Sequence, residues 1–217
     1  MLYDLMRKSR ALLKDHPVNL RRIQNGLRPA SSVWLWGQGR KPSFDSFYDR
    51  HHVKGAVISA VDLVKGLGIC AGMEVPDVPG ATGNIDTNYE GKADAAIAFF
   101  RSGGEFVYLH VEAPDECGHR QEIQNKVRAI EYLDQRILKK VWDYLENTGE
   151  PYRILVLPDH PTPLALRTHT HAPVPYMIYE GDRAGIRSAS AEYNERDAAE
   201  TGIYIEKGFQ LIDRFLS

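Results

Sequence analysis

Apolar positions recur at helical spacing over LYDLMRKSRALLK, where Leu2, Leu5, Met6, Leu12 and Leu13 share a face with Ser9, and Pro17 marks the end of the pattern. A polar, basic stretch (NLRRIQNGLRPASS) then leads to VWLWG, a short apolar run that predicts a buried strand with Trp34 and Trp36 in the core. GAVISAV (55–61) predicts a second strand, and the following residues, from Asp62 to about Ala71, a short helix. PDVPGATGNIDTN is loop by its proline, glycine and asparagine content. Tyr89 to Phe100 predicts a helix and EFVYLHVE a strand. Beyond Gln121, the stripe Ile123, Val127, Ile130, Leu133, Ile137, Val141 and Leu145 predicts one helix of several turns with a single apolar face. RILVLPD is apolar on both faces, the pattern of a strand inside a parallel sheet. VPYMIY is the next strand, and IEKGFQLIDRFL a closing helix.

Strands alternating with helices indicate an α/β fold with a largely parallel sheet flanked by helices. In such sheets ligands gather beyond the carboxyl ends of strands. Two polar clusters fall there: EAPDECGH after FVYLHV, and PDH after ILVL.

Composition narrows the function classes. The 217 residues carry 27 Lys and Arg against 29 Asp and Glu, a net charge of −2, with no basic block of the kind that phosphate backbones require. No apolar run reaches the roughly 18–20 residues of a membrane span, and the opening residues do not read as a signal peptide. Two cysteines, Cys70 and Cys117, make no disulfide framework. These features predict a cytoplasmic protein that binds neither nucleic acid nor membrane.

The chemistry concentrates in LPDHPTPLALRTHTHAPVP (157–175), with three histidines and an aspartate on a proline-stiffened loop, and in EAPDECGHR. Asp115 and His119 are four apart, a spacing at which one helical turn brings carboxylate and imidazole together. Asp159 and His160 are adjacent at a strand end, with His169 and His171 beyond them. Carboxylate and imidazole without thiolate suit Mn²⁺, Zn²⁺ and related divalent ions. The competing reading of each pair is a polar loop that caps local structure. Other features point elsewhere: Cys117 reads as a small buried residue, His110 as a satisfied strand histidine, and GATG (80–83) as a turn. Arg40 and Lys41, beside glycines in WGQGRKPS, are candidate anion contacts or a solvated loop.

Taken together, EAPDECGH, LVLPDHPTPLALRTHT and HTHAPVPYMIY resemble the C-terminal half of cofactor-independent phosphoglycerate mutases of the archaeal-type branch, in the alkaline phosphatase superfamily. WLWGQGRKPSF, GAVISAVDLVKGLG and VPGATGNIDTNYEGKA resemble that branch too, so nearly the whole chain is covered. The resemblance implies that Asp115, His119 and His169 hold one metal and that Asp159 and His160 bind a second; His171 falls at a variable position. It implies a phosphoserine enzyme with two divalent ions (Mn²⁺, with Zn²⁺, Mg²⁺ or Co²⁺ as alternatives) that interconverts 3-phosphoglycerate and 2-phosphoglycerate.

The family pattern also includes an aspartate on an N-terminal strand, a nucleophilic serine and cap-domain arginines, none of which matches here; Ser43, Ser46 and Ser59 lie outside any nucleophile motif. Residues 1–30 are therefore expected to be the return segment from a cap domain, and 31–217 the C-terminal half of an alkaline-phosphatase-like domain that is incomplete without its N-terminal part. The partners expected are that missing half and a phosphorylated three-carbon acid. At most one metal is expected in this chain, with no mutase turnover by the chain alone. Alternatives are a related superfamily enzyme (phosphonopyruvate decarboxylase or homoserine kinase-like) and a non-catalytic metal- or partner-binding fragment.

Overall fold

A computed structural model of the chain describes residues 1–37, 39–181 and 192–217. It divides into two compact units, Met1–Pro42 and Ser43–Ser217.

The first unit is a helix pair with an extended tail. Helix α1 spans Leu2–Lys14 and α2 spans Pro17–Gln24, both within residues 1–30, the expected return segment. Two local features start α2: Pro17 occupies its first turn, where no amide partner is needed, and the His16 ring accepts from Val18 N. Asn19, buried, fastens the turn: its side-chain nitrogen donates to Leu13 O and Ala30 O at 2.7 and 2.8 Å, and its oxygen accepts from Ala30 N at 2.9 Å. VWLWG forms no strand among the described residues. Trp34 and Trp36 are 73% and 75% exposed, so the expectation of a buried strand with core tryptophans is corrected. An apolar run needs a partner sheet to become a strand, and the described residues of this unit contain none.

The second unit is α/β. A short helix α3 (Phe47–His51), capped by Ser46 Oγ on Asp49 N, precedes strand β1 (Gly55–Ile58) and helix α4 (Asp62–Cys70). Helix α5 (Tyr89–Arg101), capped by Asn88, leads to β2 (Phe106–Leu109). β1 and β2 pair in parallel, Gly55 opposite Phe106 and Ile58 opposite Leu109, as the alternation of strands and helices predicts. The far edge of β1 is bridged by Glu74. Ile58, Val78 and Ala96 form a core against Val107, Leu109 and Val141, and a second cluster joins Tyr89, Ala93 and Ile137. Burying an isoleucine such as Ile58 contributes about 1.5–3 kcal/mol, so α5 is held on the sheet mainly by this face.

Helix α6 (Ala113–Arg120) follows β2. The expected long helix is continuous but mixed: α7 (Ile123–Tyr132), a π-helical segment (Leu133–Leu138) and α8 (Lys139–Glu146). Its single apolar face is corrected as well. Ile137 is buried, whereas Ile123, Val127 and Ile130 are exposed, because α7 presents Ala129 and Lys126 inward instead. The π segment is pinned by Arg136, which makes a bidentate pair with Glu90 at 2.5 and 2.6 Å and lies over the Tyr89 and Tyr132 rings.

Strand β3 (Arg153–Val156) pairs antiparallel with β4 (Met177–Glu180), so RILV does not lie in a parallel pair as its pattern predicts. An apolar run reports burial on two faces and is silent on strand direction. A short helix α9 (Glu195–Glu200) and a 3₁₀ turn (Gly208–Gln210) precede α10 (Leu211–Leu216), which is shorter than the closing helix expected.

Candidate metal centre

Helix α6 starts four residues beyond β2 with Pro114 in its first turn, and its own i, i+4 spacing puts Asp115 and His119 side by side. Asp115 Oδ2 lies 3.4 Å from His119 Nε2. The proline-rich loop after β3 folds back over α6 and delivers His169, whose Nε2 is 3.1 Å from His119 Nε2 and 3.3 Å from Asp115 Oδ1. Among the described residues, these three form a group whose donor atoms all lie within 4.8 Å of one another.

The close fit of helix to loop depends on Gly118. A Cβ there would stand 2.5 Å from Thr162 O and 2.9 Å from Thr162 Cγ2. Lys126 of α7 secures the same contact, donating to Pro114 O and Thr162 O at 3.1 and 3.0 Å. In the loop, Arg167 takes a left-handed conformation (φ 55°) and presents its carbonyl to His119 Nδ1 at 2.9 Å.

That bond assigns the histidine's proton. A carbonyl only accepts, so Nδ1 carries the hydrogen and the Nε2 lone pair is left for the cluster. The same logic reaches His160. The Thr162 hydroxyl gives its single proton to Asp115 in a short bond, so His160 Nδ1, 3.3 Å away, donates to Thr162 Oγ1. His160 Nε2 then has a free lone pair, 3.4 Å from Asp159 Oδ2. The His160 ring packs against His169 with centroids 3.8 Å apart and planes tilted by 37°, which sets the two groups of residues next to each other.

The donor atoms fit a divalent ion. Two ligands each about 2.1 Å from one ion are separated by about 3.0–3.4 Å for octahedral to tetrahedral angles. The distances of 3.1, 3.3 and 3.4 Å in the trio, and 3.4 Å in the Asp159–His160 pair, match that spacing. A carboxylate with imidazoles and no thiolate suits Mn²⁺ or Zn²⁺.

The structure thus brings Asp115, His119, His169, Asp159 and His160 together. His171 is exposed. Arg40 and Lys41 lie in the first unit, both exposed. Cys117 is buried and its thiol is pushed up in pKa mainly by burial, which suits packing rather than nucleophilic attack. His110, just past β2, pairs through Nδ1 with the buried Ser59 Oγ at 3.2 Å; burial lowers its pKa. Ser46 is committed to its capping bond.

Sequence reasoning missed Thr162, whose hydroxyl couples Asp115 to His160, and Lys92. Lys92 is 1% exposed, donates to His110 O at 3.0 Å and is pulled down to a pKa of about 8 by burial. Lys92 carried a signal: it falls on the face of α5 defined by Tyr89, Ala93 and Ala96. Thr162, between two prolines, carried none.

Comparison with known proteins agrees with this chemistry. Residues 4–202 match the family model described as the metalloenzyme superfamily. The chain is 50% identical over 212 residues to a 2,3-bisphosphoglycerate-independent phosphoglycerate mutase of Methanothrix thermoacetophila, covering 98% of this chain and 53% of that one. It is 47% identical over 215 residues to a protein of Geobacter sulfurreducens described as a probable enzyme of the same kind, covering 99% and 53%. A solved structure from Pyrococcus horikoshii superposes with a TM-score of 0.74 at 30% identity, over 92% of this chain and 51% of that one. The fold is also shared with a cofactor-independent phosphoglycerate mutase from Thermoplasma acidophilum (TM-score 0.55, 22% identity, 98% and 50%). The chain spans about half the length of the curated relatives it matches. It belongs to the metalloenzyme superfamily and matches that superfamily's 2,3-bisphosphoglycerate-independent phosphoglycerate mutases over about half their length.

Proposed function

We propose that this chain is the C-terminal half of a 2,3-bisphosphoglycerate-independent phosphoglycerate mutase, interconverting 3-phosphoglycerate and 2-phosphoglycerate, and that Asp115, His119 and His169 hold one of its divalent ions. The observation that supports this most is the trio's spacing, with donor atoms 3.1–3.4 Å apart on a helix and a loop that are otherwise 50 residues distant in sequence. Asp159 and His160 offer two donors at the same spacing for a second ion, whose remaining ligands come from the other half of the family polypeptide. Divalent ions at these positions supply Lewis-acid charge for a phosphoryl group.

The chain's own residues do the positioning. Arg167 O and Thr162 Oγ1 hold the Nδ1 protons of His119 and His160, so that both Nε2 atoms stay available. Thr162 also donates to Asp115, which limits the carboxylate's rotation.

Calorimetric titration of the metal-free chain with Mn²⁺ tests the reading. One ion per chain is expected, bound at least tenfold more weakly by Asp115→Asn and His169→Ala, while Asp159→Asn leaves that event in place. Absence of binding, or affinity unchanged in both trio variants, overturns the assignment. The chain alone is expected to show no mutase turnover, because the resemblance puts the nucleophilic serine in the other half.

A further inference from the structure

His110 is the first residue beyond β2, and one nitrogen of its ring is fixed while the other is open. β1 and β2 pair in parallel, so Ser59 and His110 both stand at carboxyl ends of strands, where ligands collect in sheets of this kind. The His110 backbone is fastened at both polar atoms. Its N–H donates to Ile58 O at 2.8 Å, and its carbonyl accepts from Lys92 Nζ at 3.0 Å.

The Ser59 hydroxyl decides which ring nitrogen carries the hydrogen. Ser59 is buried, and its oxygen already accepts from Val61 N at 3.0 Å. Its own proton needs an acceptor, and among the described residues the one in reach is His110 Nδ1 at 3.2 Å. The opposite assignment, Nδ1–H donating to Ser59, leaves a buried hydroxyl proton unpaired at a cost of about 1–3 kcal/mol. Ser59 therefore donates, Nδ1 accepts, and the hydrogen of the neutral ring sits on Nε2. Burial lowers the His110 pKa, which keeps the ring in that neutral form.

Nothing among the described residues bonds to Nε2, yet it is not a buried orphan of the kind that Tyr89 OH and Thr170 Oγ1 are: the ring is half-buried and Nε2 reaches solvent. The charges that act on the ring include Asp159, Asp115 and His160, so this free donor stands beside the candidate ligands. A ring protonated at Nε2 and bonded at Nδ1 has no lone pair for a metal. A neutral imidazole is also a poor acid. What it offers is a fixed N–H for an oxyanion.

We propose that His110 donates this Nε2–H to a phosphoryl oxygen of the substrate, a catalytic residue whose tautomer is set by Ser59. The inference rests on the mutase reading above and adds to it a neutral donor that is already in place when charge develops on the phosphoryl oxygens. Ser59 is a positioning residue, acting only through the ring.

The test is ring-nitrogen NMR of the histidines in the whole chain, with inorganic phosphate as the probe. In the metal-free chain His110 is expected in the Nε2–H form alone, and Ser59→Ala should let the Nδ1–H form appear beside it. With one equivalent of Zn²⁺ bound, phosphate is expected to shift the His110 Nε2 resonance to saturation. His110→Gln, whose amide offers a donor in the same region, should keep phosphate affinity within about threefold, whereas His110→Phe should lower it about tenfold or more. An Nδ1–H tautomer in the parent overturns the proposal, as does an Nε2 resonance unmoved by phosphate or a His110→Phe variant that binds phosphate as the parent does. Should His110→Phe fail to fold, the tautomer and the phosphate titration of the parent still decide. A chain that binds no Zn²⁺ brings down the mutase reading and this inference together; Zn²⁺ bound with His110 indifferent to phosphate brings down this inference alone.

Discussion

Gly118→Ala is a substitution whose sign depends on the geometry described. In an isolated helix, alanine in place of glycine stabilises by about 1 kcal/mol. Here the new methyl would sit 2.5 Å from Thr162 O, a backbone atom, and 2.9 Å from Thr162 Cγ2. Ordinary contact needs about 3.4 Å, so helix α6 and the loop must separate by close to 1 Å. Overpacking of that kind costs about 1–3 kcal/mol, more than the helix gains. The separation also opens the trio, because Asp115 and His119 ride on α6 while His169 rides on the loop. A net loss of up to about 2 kcal/mol is expected, seen as a fall of up to about 8 °C in the melting temperature at this chain length. Mn²⁺ affinity is expected to drop 10- to 100-fold, since the supporting contacts of the ligands are displaced. Differential scanning calorimetry with and without Mn²⁺ reads both effects. A variant that melts higher than the parent and binds Mn²⁺ unchanged would show that α6 does not press on the loop.

Two further expectations follow from buried groups. Lys92 has a folded pKa of about 8 against about 10.5 unfolded, so the unfolded chain holds more protons between those values and stability rises with pH across them; relative to Lys92→Met, urea unfolding should show the parent gaining up to about 3 kcal/mol from pH 8 to 10.5, and parallel curves would contradict it. Of the two thiols, half-buried Cys70 should react with a disulfide reagent under native conditions while Cys117 reacts only on unfolding, and two rapid native equivalents would contradict its burial.

Much of the second unit is legible in the sequence because its signals are local. Asn88 caps α5, Tyr89, Ala93, Ala96 and Ile97 repeat at helical spacing, and GAVI and FVYL are short apolar strands between turn residues. Four of the five candidate ligands are legible for a related reason, Asp115 and His119 standing one helical turn apart and Asp159 and His160 adjacent at a strand end; His169 joins them only through the resemblance to known mutases. What escapes is set by non-local partners. Trp34 and Trp36 look like core residues but have no sheet to enter, and RILV looks parallel but finds β4 running the other way. Thr162 and the Arg167 carbonyl do their work only once the loop has closed over α6.

The π-helical segment between α7 and α8 has a consequence for how this helix can change. A π turn accommodates one residue more than the α-helix around it, and one residue corresponds to about 100° of rotation. The rows of side chains on either side of the π segment are therefore out of phase: Lys126 faces Pro114 of α6 and Thr162 of the ligand loop, while Ile137 and Val141 pack against Tyr89 and Ala93 of α5. Removing a single residue from Leu133–Leu138 would restore the α-helical phase and turn α7 relative to α8. Ile123, Val127 and Ile130 would then swing inward and Lys126 outward, away from Pro114 and Thr162. The helix is spliced at this point from two phases, one matched to the hydrophobic core and the other to the ligands.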